Sequence, residues 1–302
     1  MDGIINILKP AGMTSMNVIS RVRRILSEKK VGHTGTLDPD VTGVLPIFAG
    51  KATRAIHYVQ DGGKSYSAEL SLGITTDTQD ATGVVLRSEN CDATDEEISD
   101  CLMSFLGTYI QTPPMYSAKK VGGKKLYDLA RKGIEIERKE HPVEIYAIQI
   151  NSINRSTDTL EIMVRFDVDC SRGTYIRTLC HDVGEKLGCG GHMSWLERTH
   201  SCGFSIEDCV TMEQLEAAVL AGQTEGIIAS TESAFSHLPR VNVDGIQRVD
   251  LLNGKTISQS NPGKAGLYTV YDSDEIFVGL CNVSEGETSE TSNIKMERQF
   301  VI

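Results

Sequence analysis

A chain of 302 residues with 40% hydrophobic and 24% charged content has enough apolar surface to bury a sizeable core, which excludes a disordered tail. The opening MDGIINILKP carries an acid at Asp2 and reaches Lys-Pro by residue 10, so a secretory leader is not expected, and no run of about 18 apolar residues offers a membrane span. The eight cysteines never form Cys-x-x-Cys and sit among apolar residues at irregular intervals, which points to reduced core thiols in a cytoplasmic protein.

The formal net charge of −11 is unevenly spread. Residues 9–33 hold six bases (Lys9, Arg21, Arg23, Arg24, Lys29 and Lys30) against Glu28, and residues 119–139 hold eight bases against three acids. Residues 205–302 carry 15 acids and six bases. Two basic footprints inside an acidic chain fit contact with phosphates, with solvated helix faces as the alternative.

In chain order, the apolar run Gly3–Leu8 predicts a strand ended by Pro10 and Gly12. Ser15 then caps a helix with Val18, Ile19, Val22, Ile25 and Leu26 on one face. Residues 31–50 contain four glycines and two prolines, and the first half of that stretch supports neither a long helix nor a clean strand. Lys64–Leu72 alternates strictly, placing Tyr66, Ala68, Leu70 and Leu72 on one face of a strand. Thr94 and Glu97 form a capping box before a helical stripe of Ile98, Leu102, Phe105 and Leu106. Alternation returns from Leu160 to Val168. Ile176, Leu179, Cys180, Val183 and Leu187 then make a helix ending at Gly188, with Tyr175 and Arg177 in its first turn. A second capping box stands at Thr211 and Gln214. Beyond about residue 238 the chain reads as short strands, Leu267–Tyr271 and Ile276–Val283, followed by a polar loop over Ser284–Asn293. No repeat is visible. The whole predicts an α+β fold with a mixed, mainly antiparallel sheet over 1–235 and a small β-rich unit over 236–302.

The glycine-rich stretch is where chemistry concentrates. Asp38 precedes Pro39, whose ring disfavours helical geometry at the preceding residue, so a loop presents the carboxylate, and nearby glycines permit close approach to a ligand. A plain turn or cap is the alternative reading of Asp-Pro. No Gly-Lys-Ser/Thr follows, so this is not a phosphate loop, and Asp38 with Asp40 is too local a pair for a carboxylate glycosidase.

Gly32-His33-Thr34-Gly35-Thr36-Leu37-Asp38-Pro39, followed by Thr42-Gly43-Val44-Leu45-Pro46, resembles the catalytic motif of the TruB family of tRNA pseudouridine synthases. Further blocks resemble the family in the same order. They are Lys9-Pro10-x-Gly12-Met13-Thr14-Ser15, Lys64-x-Tyr66, Pro114-Met115-Tyr116-Ser117-Ala118 with Gly123-Lys124-Lys125-Leu126-Tyr127, Ser171-Arg172-Gly173-Thr174-Tyr175-Ile176-Arg177-Thr178, and Gly184-Glu185-Lys186-Leu187-Gly188-Cys189-Gly190.

The resemblance implies an isomerase that detaches uracil from its ribose, turns the base and rejoins it through carbon 5, at position 55 of the tRNA T loop, without cofactor or metal. It implies Asp38 as the essential carboxylate, Arg177 as its partner and Tyr66 as the aromatic that stacks on the flipped base. His33 would hold rearranged loop bases and Leu196 would line the uracil pocket, with Tyr175 and Lys9 among the substrate contacts. Residues 111–142 would grip the T arm, with Lys119, Lys124 and Lys125 on its backbone. The last segment matches the place of a PUA-type RNA-binding barrel, although its acidity makes it a poor phosphate binder. The tRNA T arm is the one partner implied, with no membrane, no obligatory protein partner and a monomeric chain. A non-catalytic tRNA-binding folding factor is the alternative.

Overall fold

The computed structural model describes residues 1–59, 63–117, 120, 121, 123–130, 133, 134, 136–155, 161–260, 263–286 and 290–300, with backbone alone at 120, 121, 124, 125, 128 and 129. The chain opens with β1 (Gly3–Lys9), α1 (Ser15–Leu26), β2 (Val31–His33), β3 (Thr42–Ala49), the short α2 (Ile56–Val59) and β4 (Lys64–Leu72). A hairpin of β5 (Ile74–Thr76) and β6 (Val85–Ser88) leads to α3 (Asp95–Met103) and β7 (Gly107–Gln111). The small pair β8 (Lys120–Val121) and β9 (Lys124–Lys125) precedes α4 (Leu126–Ala130), β10 (His141–Arg155) and β11 (Ile162–Cys170). Then follow α5 (Ile176–Leu187), β12 (Gly191–Ser201), β13 (Phe204–Ser205) and α6 (Met212–Ala221). The last part comprises β14 (Arg240–Asn242), α7 (Gly245–Leu252), β15 (Thr256–Ser260), β16 (Gly266–Tyr271), β17 (Phe277–Glu285) and β18 (Thr291–Gln299).

A nine-stranded sheet carries the order β1-β3-β12-β4-β11-β10-β7, with β2 added to β3 and β13 to β12. Its strand pairs are antiparallel except β3 with β12. The alternation in β4 does what its pattern predicts: Tyr66, Ala68, Leu70 and Leu72 pair in register with Val168, Phe166, Val164 and Ile162 of β11. That apolar face is buried beneath α3 and α5. On the neighbouring part of the sheet, Ile5, Ile7, Leu45 and Ile47 are covered by α1 and α6. A second sheet, ordered β14-β16-β17-β18-β15, has its own core around Val270, Val278 and Ile294. A third apolar cluster, with Ile4 and Phe48 on one side and Leu280 and Phe300 on the other, joins the two sheets around Phe235.

Three local expectations need adjustment. Thr14, rather than Ser15, caps α1 by accepting from the Asn17 N–H at 3.1 Å; Ser15 is the first helical residue and turns its hydroxyl inward. The α3 stripe stops at Met103, leaving Leu106 outside the helix and 40% exposed. Much of the polar stretch expected to be a loop is ladder, since Ser284 pairs with Asn293 and Glu285 with Ser292. A solvent-facing hairpin needs backbone partners, not apolar side chains, so its composition mimics a loop. Leu160, placed at the head of a strand from sequence, lies outside the described residues.

Candidate active site

Asp38 stands on the loop between β2 and β3, in a cavity of about 370 Å³ that Tyr66, Tyr175, Arg177 and Leu196 also line. The loop is fastened from behind at several points. Lys9, at the end of β1, is wholly buried and donates its ammonium to the carbonyls of Val41 (2.7 Å), Pro39 (2.7 Å) and Pro10 (2.9 Å). The Ser15 hydroxyl donates to the Leu37 carbonyl at 3.1 Å and accepts from its N–H at 2.9 Å. Arg198, fully buried on β12, donates from Nε to Val44 at 2.7 Å and from Nη2 to the Gly35 carbonyl at 3.2 Å. A segment too rich in glycine and proline for regular structure thus acquires one conformation from side chains of β1, α1 and β12.

Arg177 enters from the first turn of α5. Its Nε lies 3.1 Å from Asp38 Oδ2 and its Nη1 lies 3.2 Å from Asp80 Oδ2. Nη1 and Nη2 also donate to the carbonyls of Thr78 (3.3 Å) and Tyr116 (2.9 Å). The guanidinium side chain is 6% exposed and the Asp38 side chain 42%, so a rigid buried cation meets a carboxylate open to the cavity. Burial pushes the Asp38 carboxyl above its ordinary range; Arg177 opposes that shift and Asp80 adds to it. The turn into α5 is set by buried Gln111, which accepts from the Tyr175 N–H at 2.8 Å and donates to the Tyr175 carbonyl at 3.0 Å.

Tyr66 and Leu196 wall the cavity from adjacent strands, and both are more than nine-tenths buried. Burial pushes the Tyr66 phenol up to about 12, with Arg198 the largest opposing influence. His33 is outside the residues lining the cavity; its Nδ1 accepts from the Gly35 N–H at 3.1 Å, and burial, then Arg198 and Lys64, lower its pKa. Asp38, Tyr66, Tyr175, Arg177 and Leu196 are therefore brought together. Lys9 and His33 stand behind the loop, and Lys9 in particular is enclosed by carbonyls rather than presented to a ligand. Lys119 lies outside the described residues, and Lys124 and Lys125 are described as backbone in β9. Asp80, Gln111 and Arg198 have no motif in the sequence to mark them.

Among the described residues, no group of three or more His, Cys, Asp or Glu side chains is placed to hold a metal ion, and no helix is long and apolar enough to cross a membrane. All eight cysteines are free, and all but Cys209 are buried.

The fold defines the class. The chain superposes on the protein chain in "Crystal Structure of a Cbf5-Nop10-Gar1 Complex" with a TM-score of 0.75 and 27% identity, covering 99% of this chain and 85% of that one. A similar match, with a TM-score of 0.74 and 26% identity over 99% of this chain and 85% of that one, is found in "Structure of H/ACA RNP bound to a substrate RNA containing 2'-deoxyuridine". Residues 23–176 match the TruB family pseudouridylate synthase (N terminal domain), and residues 177–236 match the tRNA pseudouridylate synthase B C-terminal domain. The chain is 50% identical over 257 residues to the tRNA pseudouridine synthase B of Alkaliphilus oremlandii, covering 85% of this chain and 83% of the relative. It is 44% identical over 290 residues to that of Clostridium acetobutylicum, covering 94% and 96%. The protein belongs to the TruB family of pseudouridylate synthases.

Proposed function

We propose that the protein isomerises uridine to pseudouridine at position 55 in the T loop of tRNA, with Asp38 as the essential carboxylate. The observation that carries this reading is the 3.1 Å contact between Asp38 and Arg177 in a cavity walled by Tyr66 and Leu196. Breaking a glycosidic bond leaves an electron-poor sugar, which an ionised carboxylate accommodates. Arg177 keeps that carboxylate negative and aimed. The detached uracil stays between Tyr66 and Leu196 while it turns and rejoins through carbon 5; no atoms enter or leave, and no cofactor is needed. Tyr66 stacks on the base, a contact worth about 1–3 kcal/mol, and relays the carbon-5 proton.

The uridine must leave its stack to enter, at a cost of a few kcal/mol. Contacts by the basic windows to phosphates offset that cost, and residues 111–142 serve as the clamp on the T arm. Positioning contacts of this kind carry little sequence information, so the shape of the loop and its splayed bases supply specificity. Residues 1–235 form the catalytic unit and 236–302 a PUA-like appendage, a poor phosphate binder by its acidity and mainly structural. The enzyme works in the cytoplasm as a monomer, with tRNA as its one partner.

The test is incubation with an unmodified tRNA transcript followed by mapping of carbodiimide-adduct stops. A new stop at position 55 with wild-type protein, lost with Asp38→Asn, is the expected result. Binding of the transcript with every uridine left unchanged would replace the enzyme reading with that of a tRNA-folding factor.

A further inference from the structure

One end of the cavity collects positive groups whose hydrogen-bonding capacity the protein leaves partly unmet. Lys64, the first residue of β4, lines the cavity on the same strand face as Tyr66. Its ammonium lies over Gly35, so close that a Cβ built on that glycine would stand 2.9 Å from Nζ. Arg198 Nη1 lies 3.4 Å from the same point, is buried and has no hydrogen-bond partner. Thr34, 6% exposed, lines the cavity with a hydroxyl that also lacks a partner. Among the described residues, the Lys64 ammonium makes no hydrogen bond or ion pair. The titratable groups that act on it most strongly are Arg198, Cys202, Cys170 and Arg172, with His33 also within its influence. None is a carboxylate. Lys64 is half-buried and Arg198 wholly buried, and cations withdrawn from water without a counter-charge are costly unless a ligand supplies one.

We propose that Lys64, Thr34 and Arg198 form a phosphate-binding corner that receives a backbone phosphate adjoining the extruded nucleotide. The inference rests on the RNA reading above and adds a named contact to it. Lys64 meets the phosphate directly, Thr34 donates its hydroxyl, and Arg198 supplies fixed positive charge from behind Gly35. Glycine at 35 leaves the room that the ammonium occupies. Burial and then Arg198 lower the Lys64 ammonium to about 8 in the free protein. An arriving phosphate favours the charged form, so a proton is taken up on binding above that pH and affinity declines as pH rises through it. Cys170, pushed up to about 11 by burial, and His33, whose pKa is lowered, titrate elsewhere.

The experiment measures dissociation constants for a T-arm hairpin RNA against salt and pH. Lys64→Met is expected to weaken binding about tenfold, to reduce the slope of log affinity on log salt by about 1, and to abolish the decline near pH 8. Lys64→Arg, always charged, keeps the salt slope and abolishes the decline. A hairpin with a neutral methylphosphonate at one of the two linkages flanking the target uridine binds the wild type more weakly and Lys64→Met no more weakly. An unchanged salt slope in Lys64→Met, or methylphosphonate penalties that add to the substitution, overturns the phosphate corner while wild-type binding and isomerisation stand. Failure of the wild type to bind the hairpin at all overturns the RNA reading and this inference together.

Discussion

A guanidinium with all its nitrogens engaged cannot swing, and Arg177 is held by Asp80 and two backbone carbonyls while its Nε meets Asp38. Two influences therefore act on the Asp38 carboxyl in opposite senses, burial and Asp80 raising its pKa and Arg177 lowering it. Because the proposed chemistry uses the ionised form, turnover falls as pH drops through a pKa above the ordinary carboxylate range. In Arg177→Met the lowering influence is gone, so the acid limb of kcat moves to higher pH and kcat at neutral pH falls by on the order of 10²–10³-fold. Asp80→Asn removes a raising influence, and its acid limb moves to lower pH even where loosened Arg177 reduces the rate. Single-turnover isomerisation across pH reads both, and limbs that coincide with the wild type would sink the electrostatic account. Asp38 and Arg177 were legible because each sits in a motif with distinctive neighbours. Asp80 was not, since only the β5–β6 hairpin, folded against α5, brings it to an arginine 97 positions away.

At the scale of elements, the question is what gives the Asp38 loop a single shape. Lys9 donates to three backbone carbonyls on and beside it, and a buried carbonyl left without a donor costs about 1–3 kcal/mol. Lys9→Met leaves the Pro39 and Val41 carbonyls in that state. Urea unfolding is expected to show a loss of about 2–4 kcal/mol, with a fall in kcat and an unchanged salt slope for RNA binding. A lower salt slope with full stability would instead place Lys9 on the RNA, as its basic window suggested. The same scale explains which strands could be read in advance. β4 and β11 keep strict alternation, so their buried faces are visible in the sequence. β10 is broken by irregularities between Ile145 and Ala147 and between Ile150 and Ser152, and β12 between Met193 and Trp195 and between Arg198 and His200. An added residue reverses the inward and outward sides of a strand, which hides such a strand from any two-residue pattern and hides Arg198 with it.

Over the whole molecule the charge divides along the chain, the two basic windows lying before residue 140 while residues 205–302, which include the second sheet, carry 15 acids and six bases. What ties that second sheet to the first is mainly apolar, beside a hydrogen bond from the Tyr58 hydroxyl to Glu297 at 3.0 Å. Phe235, 1% exposed, lies 6.2 Å from the Phe277 ring and 5.9 Å from the Phe300 ring, in the cluster that also holds Ile4 and Phe48 of the large sheet. Two units sharing a buried cluster unfold together, because separating them exposes the cluster of both. Phe235→Ala removes the ring at its centre and is expected to cost about 3–5 kcal/mol, most of it from the coupling between the sheets. The chain's single tryptophan, Trp195, lies in β12 of the large sheet, so its fluorescence reports on that sheet alone while far-ultraviolet circular dichroism reports on both. In wild-type protein the two signals are expected to trace one urea transition. In Phe235→Ala the dichroism should begin to fall at lower urea than the fluorescence, as the C-terminal sheet comes away first. Coincident curves with an unmoved midpoint would show that the phenylalanine cluster does not couple the two sheets.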